Sequence, residues 1–355
     1  MTTIESLAED IISRTLSKGA TDIHLIPRKT DYFMQIRQFG SLLPFQKFSM
    51  YEGERLVSHL KFMASMDIGE RRKPQSGSFS MNVQNTPLSL RVSTLPTAHS
   101  KESLVIRILP QEHSIPIQEL SLYPNAANKL LSLSKYSHGM IILTGPTNSG
   151  KTTTLYSLVQ YCSSVLNRNV ITLEDPVERQ QETLLQVQVN EKAGITYSAG
   201  LKAILRHDPD IIMVGEVRDR ETAEISIQAA LSGHLVLTTM HTRDAKGAIY
   251  RLLELGVQWH EIEQTLIAVS AQRLINLTCP FCGTQCKNAC GNNKGRKRAA
   301  VYELLTGSAL NSVLREANGE SVHYRYPHLK ELLSKGVALG FVSEQEYEKW
   351  IQEES

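Results

Sequence analysis

The chain has 355 residues, room for two or three domains at about 150 residues each, and its apolar (41%) and charged (21%) shares are those of a chain that buries a core. A wholly disordered, collagen-like or low-complexity protein is excluded. Lys and Arg number 38 against 36 Asp and Glu, a net charge of +2; a dedicated duplex-binding surface needs a strong basic excess, so no direct sequence-specific nucleic-acid binding is expected.

In chain order, apolar residues recur at helical spacing over residues 1–17 (Ile4, Leu7, Ala8, Ile11, Ile12), with Gly19 as the stop signal. Strand-like segments follow at 23–26 and 32–36, and Gly40 and Pro44 read as turns. A helical pattern over 52–66 and strands at 78–83, 88–93 and 103–109 complete an α+β domain of residues 1–112. Residues 113–122, without sustained period, read as a linker. Beyond it, apolar strands at 140–144, 170–173, 211–214 and 235–239 alternate with helical segments, which predicts βαβ units, a mostly parallel sheet and an α/β domain over 123–278. Residues 279–355 hold a cysteine cluster, a basic run at 294–298 that reads as a solvated loop, and helical segments. The longest apolar runs are strand-sized, short of the roughly 20 residues that cross a bilayer. The start, Met-Thr-Thr-Ile-Glu, lacks the basic and apolar blocks of a secretory signal, so a cytoplasmic location is expected.

Gly145-Pro146-Thr147-Asn148-Ser149-Gly150-Lys151-Thr152 fits G-x-x-x-x-G-K-[ST] at every fixed position, between an apolar strand and a helix-like run that opens at Thr153. Backbone N–H groups of such a loop surround phosphates, Lys151 reaches the β- and γ-phosphates, and the Thr152 hydroxyl ligates Mg²⁺. A nucleoside triphosphate such as ATP is therefore the expected substrate. Acidic partners belong at the carboxyl ends of neighbouring strands. Glu216, after the strand 211–214, is placed to orient or deprotonate the attacking water. The segment 170–178 supplies Glu174, Asp175 and Glu178. Asp175-Pro176 looks like a helix cap with proline in the first turn, while Glu174 and Glu178 suit an outer-shell role at Mg²⁺. His234 and His241 bracket another strand, seven apart and so on opposite faces, which argues against one shared metal; Thr239 and His241 are candidates to sense the γ-phosphate. Cys279, Cys282, Cys286 and Cys290 space as C-x₂-C-x₃-C-x₃-C, a pattern able to close a structural Zn²⁺ site. Cys162, among apolar neighbours, reads as core.

Taken together, the motif at 145–154, the acidic stretch 171–178, LRHDPDIIMVGEVRD (205–219) and GHLVLTTMHTRDA (233–245) resemble, in order, the Walker A, aspartate-box, Walker B and histidine-box motifs of secretion ATPases. That family serves type II secretion, type IV pili and competence pseudopili. Upstream, residues 20–24, 66–70 and 90–96 are similar to its PAS-like N-terminal domain. The resemblance covers roughly residues 10–305. It implies a PAS-like domain followed by a RecA-like ATPase domain and a zinc-stapled, mostly helical C-terminal region. It further implies a homo-hexamer with nucleotide between domains, Arg91 and Arg107 supplying guanidinium groups to the phosphates, a polytopic membrane platform protein as partner, pseudopilins served indirectly, and peripheral association with the cytoplasmic membrane. From spacing alone, both arginines read as solvated residues on alternating strands. The compressed cysteine site makes the chain most similar to the competence ATPases of Gram-positive bacteria, with a role in DNA uptake. Type II secretion, pilus extension or retraction, and a RecA-like nucleic-acid motor are the alternatives.

Overall fold

The computed structural model describes residues 3–38, 41–83, 86–98, 101–110, 115–283, 290 and 296–352. The chain divides into two units, residues 1–113 with 178–180, and residues 114–177 with 181–355.

In the first unit, α1 (Ile4–Ser17) starts where Thr3 Oγ1 accepts the Ser6 N–H, and its apolar stripe buries Ile11 and Ile12. Three antiparallel strands follow, β1 (Ala20–Pro27), β2 (Asp31–Gln38) and β3 (Ser41–Ser49). Helix α2 (Met50–Met63) opens with a reciprocal Ser49–Glu52 capping box. The strands β4 (Gln75–Val83), β5 (Thr86–Pro96) and β6 (Glu102–Pro110) complete a six-stranded sheet in the order β3-β2-β1-β6-β5-β4. Alternation along β2 and β5 sends Met34, Leu90 and Val92 into the core shared with Ile11, Ile12, Leu56 and Leu60. Pro44, read as a turn, lies inside β3. Proline is tolerated there because β3 is an edge strand and its pairing with β2 shifts register between Met34 and Gln35. Gly40 lies outside the described residues. One ion pair is buried in this unit: Lys61 Nζ on α2 sits 2.8 Å from Glu102 Oε1 on β6 and also donates to Glu70 O, with the two side chains 1% and 5% exposed.

The second unit begins with α3 (Ile117–Leu120) and α4 (Pro124–Leu133). The stretch read as a linker is thus partly structured: Ile117 is buried and Leu122 N donates to Ala300 O. Next come β7 (Gly139–Thr144), α5 (Lys151–Ser164), β8 (Val170–Glu174), β9 (Leu185–Gln188), α6 (Tyr197–Ile204), β10 (Ile211–Val214), α7 (Arg220–Leu231), β11 (Leu235–Met240), α8 (Ala245–Glu254), α9 (Trp259–Thr265) and β12 (Leu266–Asn276). After the cysteine segment follow β13 (Arg298–Thr306), α10 (Gly307–Ala317), α11 (Leu329–Ala338) and α12 (Glu344–Gln352). The sheet order is β13-β12-β7-β11-β10-β8-β9, parallel throughout except for the β12–β13 pair. Strands β7, β8, β10 and β11 are buried at every position, as expected of parallel strands covered on both faces. After residue 279, where helices were expected and α10, α11 and α12 stand, β13 adds a strand that the sequence reading did not include, its nine residues pairing with Ala268–Asn276 of β12. Among the described residues no helix is long and apolar enough to cross a membrane.

Candidate nucleotide site

The order of the parallel strands decides what converges. The loop 145–150 leaves the carboxyl end of β7, His241 directly follows the neighbouring β11, and Glu216 stands two residues past the end of β10 beside it. Gly145 has φ +140 and Gly150 φ +87, conformations that favour glycine, and a methyl group on Gly145 would lie 2.5 Å from Gln272 O. The residues of the loop therefore cannot be exchanged freely: backbone is packed against backbone. Thr152 and Thr153 stand in the first turn of α5, whose N-terminus follows Gly150 directly.

Lys151 Nζ donates to Gly145 O at 2.8 Å and Pro146 O at 2.9 Å, so the ammonium curls back over the loop it serves. Burial depresses its pKa to about 8; Arg273 adds to the depression and Glu216 opposes it. The Ser149 hydroxyl is buried with no hydrogen-bond partner among the described residues. An orphaned donor, a desolvated ammonium and a glycine-walled loop are complementary to an anionic phosphate chain, so the residues present fit a nucleotide.

Glu216 projects from the end of β10, its side chain 13% exposed. Its carboxylate is met by Arg218 and lies 3.5 Å from His241 Nε2, while Oε2 is buried without a hydrogen bond among the described residues. His241 is held below its usual pKa by burial and by Lys151, against the pull of Glu216, so the imidazole is neutral near pH 7. Glu216 and His241 are thus neighbours, and each interacts electrostatically with the Lys151 ammonium.

Other expectations meet a different geometry. Thr239 donates to Gly215 O at 2.7 Å and ties the two strand ends together, so its hydroxyl is already engaged. Nδ1 of His234 lies 3.0 Å from Ala229 O, a structural partner. Glu174 is 3% exposed; Tyr156 donates to Oε2, and Thr172 (2.6 Å) and Gln186 (3.3 Å) donate to Oε1, a structural task the sequence did not announce. No helix follows Asp175: the Asp175–Pro176 peptide is cis and the chain turns, which corrects the capping expectation. Glu178 belongs with the first unit, its Oε1 3.5 Å from Arg91 Nη2. Arg91 and Arg107 stand directly opposite each other on β5 and β6, and Arg107 Nε lies 2.9 Å from Asp22 Oδ1 on β1, so three charged residues form one row. Burial would raise the Asp22 carboxyl, but the bonds from Arg107 and Thr21 prevail and hold it below the usual range.

Two site residues escaped the sequence reading altogether. Gln272 Nε2 donates to Ser149 O at 2.7 Å, and Arg273 lies beside Gly145. Both sit near the end of β12. The clue was present in Leu266–Asn276, an apolar β-rich run of strand length, but nothing local links it to a glycine loop far upstream.

In the cysteine segment, Sγ of Cys290 lies 3.7 Å from that of Cys279 and 3.5 Å from that of Cys282, close enough for one cation to join them. Cys286 lies outside the described residues. The Cys279 thiol is drawn down to about 6 by N–H groups of Phe281 and Cys282. Cys162 is wholly buried, as expected of a core residue.

The family model described as "Type II/IV secretion system protein" matches residues 1–349. This chain belongs to that family. The secretion-type ATPase read from the four motifs is therefore what the chain is. The chain is 53% identical to "Competence protein ComGA" of Bacillus subtilis (strain 168), across 100% of this chain and 99% of that one. It is 44% identical to the protein of the same name from Halalkalibacterium halodurans, across 98% of both. Among solved structures, "Crystal Structure of the Pilus Retraction Motor PilT and Bound ADP" superposes with a TM-score of 0.72 at 25% identity, covering 96% of each chain.

Proposed function

We propose that this secretion ATPase is the motor of a competence pseudopilus, a type IV pilus-like fibre, and so serves DNA uptake. The observation that carries the proposal is the convergence of Lys151, Glu216 and His241 at the ends of adjacent parallel strands, in a chain similar over its whole length to proteins named for competence. In the reaction, Lys151 and the loop N–H groups balance charge on the β- and γ-phosphates, and Glu216 aligns and deprotonates the attacking water. Neutral His241, 3.5 Å from that carboxylate, registers its movement. Mg²⁺, held through the Thr152 hydroxyl, supplies further charge stabilisation when bound. The proposal includes a PAS-like first unit, a RecA-like second unit, a homo-hexamer in which Arg91 and Arg107 approach the phosphates, and a structural Zn²⁺ on Cys279, Cys282, Cys286 and Cys290. A polytopic platform protein holds the ring at the cytoplasmic face of the membrane, and pseudopilins are moved through that partner.

The test is a Lys151→Ala chain at normal abundance in a transformable host. ATP hydrolysis by the purified protein and pseudopilus assembly should vanish together; assembly that survives loss of hydrolysis contradicts the motor role. Light scattering with an ATP analogue checks the hexamer, and metal analysis checks for about one zinc per chain.

A further inference from the structure

Arg273 is 4% exposed, and a buried guanidinium must place its donors. Nη2 donates to Arg243 O at 2.7 Å and Nη1 to Gln272 O at 3.2 Å. The first carbonyl belongs to the turn after β11 that carries His241, and Thr242 N in the same turn donates to Thr144 Oγ1 at the entrance of the glycine loop. Nη1 also stands so near Gly145 that a methyl group there would lie 3.4 Å away. Arg273 thus touches both margins of the phosphate site without being part of the loop.

The guanidinium also meets the C-terminal helix. The Trp350 ring centroid lies 5.7 Å from the Arg273 guanidinium carbon, and Trp350 is only 8% exposed. Helix α12 is fastened to the end of β12 by one carboxylate: Glu346 Oε1 accepts from Asn276 N (3.1 Å) and Trp350 Nε1 (3.2 Å), and Oε2 accepts from Asn276 Nδ2 (2.9 Å). Contact therefore runs unbroken from α12 through Trp350 and Arg273 to Gly145 and the His241 turn.

We infer that Arg273 is a positioning residue for the nucleotide site and that α12, through the indole of Trp350, sets where its guanidinium sits. The inference rests on the assignment of the glycine loop to ATP. Displacing α12 then reads out as weaker nucleotide binding, because the guanidinium loses the ring that packs it against the loop entrance.

The chain holds two tryptophans, Trp259 and Trp350, so a Trp259→Phe protein reports on Trp350 alone. Titration of that protein with Mg-ATP should change Trp350 emission with saturation. In a Trp350→Leu protein KM for ATP should rise on the order of tenfold with kcat held within about twofold, in Arg273→Lys KM should rise likewise, and Trp350→Phe should restore most of the affinity. Unchanged KM in Trp350→Leu, or Trp350 emission indifferent to saturating ATP, overturns the inference while leaving the ATPase assignment standing. Absence of hydrolysis in the unsubstituted chain sinks the assignment instead.

Discussion

Lys151 shows most directly how folding prepares a residue for its task. A lysine pushed down to about 8 by burial binds fewer protons folded than unfolded between pH 8 and its ordinary 10.5. The penalty of that burial is present in full below pH 8 and is relieved as pH climbs towards 10.5, so this group makes the fold relatively more stable with rising pH across that window. A bound phosphate reverses the pressure, since an anion beside the ammonium favours its protonated form. ATP binding at pH 9 should therefore draw up to about one proton from the buffer, and binding at pH 6.5 almost none from this group. Calorimetry in buffers of different ionisation enthalpy measures this uptake; an uptake that persists in Lys151→Met contradicts the assignment. Gly145 makes a second prediction at this scale. Gly145→Ala combines a φ of +140 with a methyl 2.5 Å from Gln272 O, so ATP affinity should fall sharply in an equilibrium titration.

At the scale of elements, what was legible in the sequence followed the range of the interactions. The glycine loop, β7, β10 and β11 were readable because their residue types are fixed by local demands: φ angles, phosphate-facing N–H groups and burial on both faces. Strand β3 was hidden by Pro44, which only the edge position and the register shift beside Gln35 make acceptable. Strand β13 was hidden because its partner β12 lies beyond the cysteine segment. Glu174 was read as a metal-side acid because nothing nearby in sequence announces Tyr156 or Gln186 as donors. Arg91 and Arg107 were singled out by resemblance as phosphate-side residues; that they stand opposite each other on β5 and β6 was not read, since the ladder cannot be seen in spacing. The helix-to-sheet pair Lys61–Glu102 belongs to the same class of unread contact. Removing one member strands a buried charge, so Glu102→Ala should cost about 3–5 kcal/mol, seen as a lowered denaturant midpoint, whereas Lys61→Met with Glu102→Leu together should lose much less. An unmoved midpoint in Glu102→Ala contradicts the role given to the pair.

At the scale of the whole molecule, the proposed function requires that strand order bring an acid to the phosphate-binding loop and that this acid activate water. Binding and turnover should then separate. In the proposed reaction the loop, α5 and Lys151 hold the nucleotide, while Glu216 acts on the water that attacks it. The most direct measurement is ATP affinity and steady-state hydrolysis by a purified Glu216→Gln chain in the presence of magnesium. Affinity should stay within a few-fold of the unsubstituted protein while kcat falls by about 10²–10⁴-fold. Hydrolysis at the unsubstituted rate would contradict the proposed function.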